Sequence, residues 1–146
     1  MQNTTTINWS VTQLDGSAAP TLEDLQGKPT LLLFFSLGCL GCLSRGVPLA
    51  QQFAINYPEL NVVGVHSNFG KNPYSPEQVQ ALVDERELQF PVLMDDGHVT
   101  YDSFEAEGTP HWVLLDEQGT VEKSFFGSLP NAVQRLTYAM MERFGD

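Results

Sequence analysis

The chain has 146 residues, the length of one compact domain spanning 1–146, and a chain this long can bury about two-thirds of its unfolded surface without disulfide staples. With 42% hydrophobic and 17% charged residues it is too apolar for a disordered polypeptide. Lys+Arg is 7 against Asp+Glu 18, a net charge of −11, so no basic run exists to release counterions, which argues against nucleic acid or an anionic membrane surface as partner.

The first six residues lack the basic and apolar character of a signal peptide, and the longest apolar run, 31–35, is too short to span a bilayer. The expectation is a cytoplasmic chain, or an exported one from which a leader has been removed. Residues 7–14 alternate in part and predict a short edge strand; Asp15-Gly16 marks a turn, and 21–25 reads as a helical turn opened by Thr21 and closed by Gly27. The run 30–36 (TLLLFFS) predicts a strand buried on both faces. After Gly38-Cys39-Leu40-Gly41-Cys42 a helix runs to about residue 57, with Pro48 as a kink. A second β-rich run, 60–67, completes a βαβ unit with parallel strands. Residues 68–75 are a loop, 76–88 an amphipathic helix with Pro76 in its first turn, 90–94 a short strand and 100–106 a short helix. Gly108-Thr109-Pro110 leads into a strand to Asp116, and a turn at 117–119 joins it to a partner over 120–126. A helix over 130–144 closes the chain. This order predicts an α/β sandwich, a mixed sheet covered by helices.

Cys39 and Cys42 are the only cysteines. A pair this close cannot staple distant parts of a fold, and without a second pair it cannot form an all-cysteine zinc site, so no metal and no organic cofactor is implied. The dithiol follows a buried strand and opens a helix. Unpaired N–H groups and the positive end of the helix dipole favour a thiolate on Cys39, while Cys42 lies one turn in, within reach for ring closure. Cys39 is therefore the candidate nucleophile on a substrate disulfide, and Cys42 the thiol that resolves the mixed disulfide.

Four segments resemble the thioredoxin-like superfamily, and within it the redoxin and TlpA/ResA-like branch. Leu25-Gln26-Gly27-Lys28-Pro29 with the strand after it looks like that branch's opening motif; Cys39 to Cys42 matches its dithiol; Val62-Val63-Gly64-Val65 resembles the strand after the first helix; and Gly108-Thr109-Pro110 with the strand and turn after it looks like the family's cis-proline loop and hairpin. The resemblance implies a thioredoxin-like α/β/α sandwich acting as a thiol-disulfide oxidoreductase on protein or small-thiol disulfides. A second dithiol protein or glutathione would serve as redox partner. It implies too that Thr109-Pro110 is a cis peptide beside the dithiol and that Gly38, Thr109 and Pro110 shape the substrate groove.

The chain departs from the family pattern at four places. Gly38 stands where Trp is usual, which predicts a barer surface beside the nucleophile. Leu40-Gly41 replaces the common Gly-Pro. Pro48 comes one residue late, as if the helix start held an extra residue. Leu33 stands where thioredoxins bury an acid, so Cys42 has no evident general base. Three residues are auxiliary candidates: His66 at the end of the second strand, His111, placed nearer the dithiol because it follows Pro110, and Arg45 on the dithiol helix. Two other functions remain open. A peroxiredoxin-type thiol peroxidase would use Ser36-x-x-Cys39 with an arginine. A Cu(I) chaperone would use both thiols and His66 or His111.

Overall fold

A computed structural model of the chain describes residues 7–145. The first six residues, on which the leader expectation rests, lie outside the described residues. Strand β2 (Thr30–Phe35) is buried along its whole length and forms the middle of a six-stranded sheet, in the order β1-β4-β3-β2-β5-β6. Its unbroken apolar run has this cause: each face of the strand meets a separate core. Leu31, Leu33 and Phe35 join one cluster, Leu32 and Phe34 the other.

Strand β3 (Asn61–His66) pairs parallel with β2, and β4 (Val92–Asp95) parallel with β3. On the other side β5 (His111–Leu115) runs antiparallel to β2, and β6 (Val121–Phe126) antiparallel to β5. Strand β1 (Val11–Gln13) covers the far edge of β4. It is shorter than the expected 7–14 because Trp9 turns inward, its indole N–H donating to the Pro20 carbonyl at 2.8 Å and its ring meeting Phe104 edge-on.

Helices α1 (Val47–Asn56), α2 (Pro76–Arg86) and α4 (Pro130–Phe144) supply Ala50, Phe53, Val79, Leu82, Leu136 and Met140 to the Leu33 face. The N-terminal segment and α3 (Val99–Ser103) cover the other face through Trp9, Leu22, Tyr101 and Phe104. Helix α2 begins where the sequence says it should: Ser75 and Gln78 form a capping box, and Pro76 occupies the first turn. The helix expected over 100–106 spans only Val99–Ser103, since Glu105 takes a left-handed conformation (φ 58°). The architecture is the expected thioredoxin-like one, a mixed sheet with helices on both faces. No described helix is long and apolar enough to cross a membrane.

Candidate active site

The dithiol sits where β2 leaves the sheet. The Cys39 N–H closes a turn onto the Ser36 carbonyl at 3.0 Å, and the chain then enters the helix. Cys39 is partly exposed, and its Sγ accepts the Cys42 backbone N–H at 3.2 Å. Its thiol donates to the Thr109 carbonyl at 3.3 Å. Cys42 is fully buried, packed in the same cluster as Val47 and Trp112. Burial, reinforced by the hydrogen bond to Cys39, pushes the Cys42 thiol up to about 12. The two cysteines thus differ in access: one sulfur meets solvent with an N–H aimed at it, and the other stays a thiol in the core.

Thr109-Pro110 is a cis peptide, as the resemblance implies. Pro110 is buried against the dithiol helix. A methyl group placed on Gly46 would stand 3.2 Å from the Pro110 ring, and one on Gly41 would stand 2.9 Å from the Ser128 hydroxyl. The two glycines therefore let the helix approach the proline loop and the turn before α4. The Gly127 N–H donates to the Pro110 carbonyl at 2.8 Å and ties the loop to the end of β6.

After the helical residues Leu40 and Gly41 comes a five-residue π-helical segment, Cys42–Gly46, in which the Val47 N–H reaches back to Cys42. Pro48 accounts for it. In an α-helix the Pro48 ring would clash with the Ser44 carbonyl and offer it no donor. The wider turn carries the extra residue that the late proline suggested. It leaves one carbonyl without a helical partner: Leu43 loses Val47 to Cys42, and the next residue, Pro48, has no N–H. Arg86, at the end of α2, supplies the donor, its Nη1 lying 2.5 Å from the Leu43 oxygen. Sequence reasoning did not single out Arg86; a proline one residue late was the available signal.

The auxiliary candidates separate. His66 is fully buried on the dithiol face, in register with Phe35 and edge-on to its ring. Its Nε2 accepts the Leu37 N–H at 3.1 Å, so the ring pins the loop just before Cys39. Burial lowers it to about 4, so it is neutral at pH 7. With Nε2 occupied, it has no free lone pair there for a thiol proton. His111 pairs with Phe34 and faces away from the dithiol, where its Nε2 lies 2.7 Å from the Ser124 hydroxyl. Its position next to Pro110 misled, because successive strand residues point to opposite faces. Arg45 reaches the Ser128 carbonyl at 3.4 Å rather than a sulfur.

Gly38 is not bare. The Tyr74 hydroxyl lies 3.0 Å from where a Gly38 Cβ would be, so a side chain from the 68–75 loop fills that space. Asn68 fixes Tyr74 by accepting its N–H at 2.9 Å and donating to its carbonyl at 3.0 Å, and His66 meets the ring edge-on. The Ser36 hydroxyl accepts the Gly38 N–H at 3.3 Å, and both Arg45 and Arg86 are committed to carbonyls. Among the described residues no group of three His, Cys, Asp or Glu side chains is placed to hold a metal ion.

Comparison with known proteins agrees with this geometry. Residues 4–124 match the model of the AhpC/TSA family. The thiol-disulfide oxidoreductase YkuV of Bacillus subtilis is 33% identical over 101 residues, 68% of this chain and 68% of that protein. The thiol-disulfide oxidoreductase ResA of Halalkalibacterium halodurans is 28% identical over 141 residues, 94% of this chain and 72% of that one. The crystal structure of a thiol-disulfide isomerase from Corynebacterium glutamicum superposes with a TM-score of 0.76 at 28% identity, covering 90% of this chain and 92% of that one.

Proposed function

The chain belongs to the AhpC/TSA family and is a thioredoxin-like thiol-disulfide oxidoreductase, and on that premise we propose that Cys39 is its nucleophile, Cys42 its resolving thiol and Thr109-Pro110 its substrate-binding edge. One observation carries this reading: the accessible sulfur of Cys39 takes an N–H from the helix start while Cys42 lies buried beneath it.

The Cys39 thiolate attacks one sulfur of a substrate disulfide, forming a mixed disulfide and expelling the other sulfur as a thiolate. Cys42 then attacks the Cys39 sulfur as a thiolate, its proton taken up by the substrate thiolate released in the first step. The Cys39–Cys42 disulfide forms and the second substrate thiolate leaves, so two electrons pass from the dithiol to the substrate. The Thr109 carbonyl, which accepts the Cys39 thiol proton in the free protein, is released once that sulfur is bonded to substrate and can accept an N–H from an extended substrate segment. Burial and the hydrogen bond to Cys39 both hold Cys42 as a thiol in the free protein, and a mixed disulfide at Cys39 removes the second of these while burial remains. A second dithiol protein or glutathione completes the cycle by restoring the dithiol.

The test is a matched pair of substitutions. Cys39→Ser is expected to reduce disulfide reduction to the uncatalysed rate. Cys42→Ser should still form one equivalent of mixed disulfide at Cys39 and then stop. Trapping at Cys42 in the Cys39→Ser protein would reverse the two assignments.

A further inference from the structure

The sequence treats residues 68–75 as a connecting loop, yet Phe69, Lys71, Asn72 and Tyr74 of this loop line a hollow together with the nucleophile. The hollow has a volume of about 390 Å³ and is lined by Gly38, Cys39 and Thr109 together with Phe69 and Tyr74, the Tyr74 hydroxyl lying against Gly38. That volume sits at the small end of ligand pockets, about 300–1,000 Å³. It suits one large side chain better than a cofactor.

Both rings are held by groups outside the hollow. Phe69 stacks on His98 with centroids 5.2 Å apart and 17° between planes, and it meets Tyr101 edge-on at 4.9 Å. It nevertheless keeps 43% of its surface exposed. Tyr74 is fixed by the two Asn68 hydrogen bonds and by His66. Aromatic surfaces held open beside a reactive sulfur lower the ordering cost of binding, because little remains to be immobilised. In a chain with 18 Asp and Glu residues, none of the residues lining this hollow is acidic, and Lys71 is its one basic residue.

We infer that Phe69 and Tyr74 form a specificity subsite that takes a large apolar or aromatic side chain flanking the cysteine of a disulfide-linked polypeptide. The inference rests on the oxidoreductase reading above and adds the chemistry of the substrate. Offset or edge-on contact with two rings stabilises an incoming aromatic beyond simple burial. Cys39 supplies the reacting sulfur, and the Thr109 carbonyl supplies the backbone contact that aligns the flanking residue beside the two rings.

The experiment compares two synthetic peptide disulfides, identical except that Phe or Gly flanks the cysteine on both sides, each reduced in a single turnover by the dithiol protein. The expected ratio of kcat/KM, Phe over Gly, is about tenfold, the lower end of what one hydrophobic pocket discriminates. In Phe69→Ala and in Tyr74→Ala the ratio should fall toward one, and Phe69→Leu should keep part of it. Phe69 is half exposed on a loop, so its truncation leaves both cores intact. A wild-type ratio of one, or a ratio retained in both alanine variants, overturns the subsite. Failure of the wild type to reduce either peptide or a small aryl disulfide overturns the oxidoreductase reading instead.

Discussion

His66 and His111 stand at the same edge of the sheet, on the two strands that flank the end of β2, and they live in different chemistry. His66 pairs with Phe35 and belongs to the face that carries Cys42; His111 pairs with Phe34 and belongs to the opposite face. One residue of register separates them, and in a pleated sheet one residue is a change of face. His66 accepts the Leu37 N–H and so fixes the backbone immediately before Cys39. His111 is joined to Ser124 on β6 and to the Glu107 N–H, at 2.7 and 3.4 Å, and takes no part in the dithiol. Strand parity, and not nearness in sequence to Pro110, decides which imidazole serves the site.

The largest difference between them should appear in acid. The unfolded His66 imidazole takes up its proton near 6.5, the native one only near 4. Between those values the unfolded chain binds more protons, so stability falls as pH falls through this window and the loss is complete below about 4. At about 1.36 kcal/mol per pH unit, the stability lost across the window is on the order of 3 kcal/mol. Burial lowers His111 in the same direction, opposed by Glu107. Urea melts at pH 7 and pH 4.5 should therefore show the acid loss of the wild type much reduced in His66→Leu and less reduced in His111→Leu. An equal reduction in both would remove the distinction drawn here.

At neutral pH the two should part in activity. His66→Leu leaves the Leu37 N–H without its acceptor beneath a buried side chain, a loss of about 1–3 kcal/mol. The loop that sets Cys39 is then less fixed, so the rate of mixed-disulfide formation should fall. His66→Gln, which can offer an oxygen to the same N–H, should recover part of it. His111→Leu gives up its partner on β6 at about 1 kcal/mol and should leave the exchange rate within about twofold. Stopped-flow exchange against a small aryl disulfide reads both; a rate unchanged in His66→Leu would reduce that residue to packing alone.

These residues also mark where the sequence is legible. The buried run at β2, the dithiol opening a helix, the proline loop and the closing helix announce themselves through local pattern: apolar continuity, cysteine spacing, turn residues and 3.6-residue periodicity. Parity counted from Pro110 along β5 would have placed His111 on the far face, so that error lay in reading rather than in the signal. Tyr74 was a different matter. It reaches Gly38 from 36 positions away in the chain, and no local pattern tells which distant side chain fills the space beside a glycine. Arg86 is the same kind of contact, long in sequence and short in space, and only the displaced Pro48 hinted that a donor would be needed.

That hint gives the smallest effect and the most specific one. If the π-helical turn exists because Pro48 cannot donate, then Arg86 and Pro48 are coupled through the Leu43 carbonyl, apart from the Gln51 hydrogen bonds that also join α1 to the end of α2. Arg86→Ala alone should cost about 1 kcal/mol, the net worth of one hydrogen bond from a charged group at an exposed site. Pro48→Ala restores a helix N–H, which gives the first turns of the helix an α-helical alternative and the Leu43 oxygen a backbone donor. In that background Arg86→Ala should cost little, so the double-mutant cycle should return a coupling of about 0.5–1 kcal/mol. The turn bears Cys42, so the Cys39–Cys42 reduction potential should move in Pro48→Ala, with about 30 mV answering to each 1.4 kcal/mol by which the two redox forms are differently stabilised. Additive stabilities with an unmoved potential would show that the widened turn is a local accommodation of proline and that α2 has no hold on the dithiol.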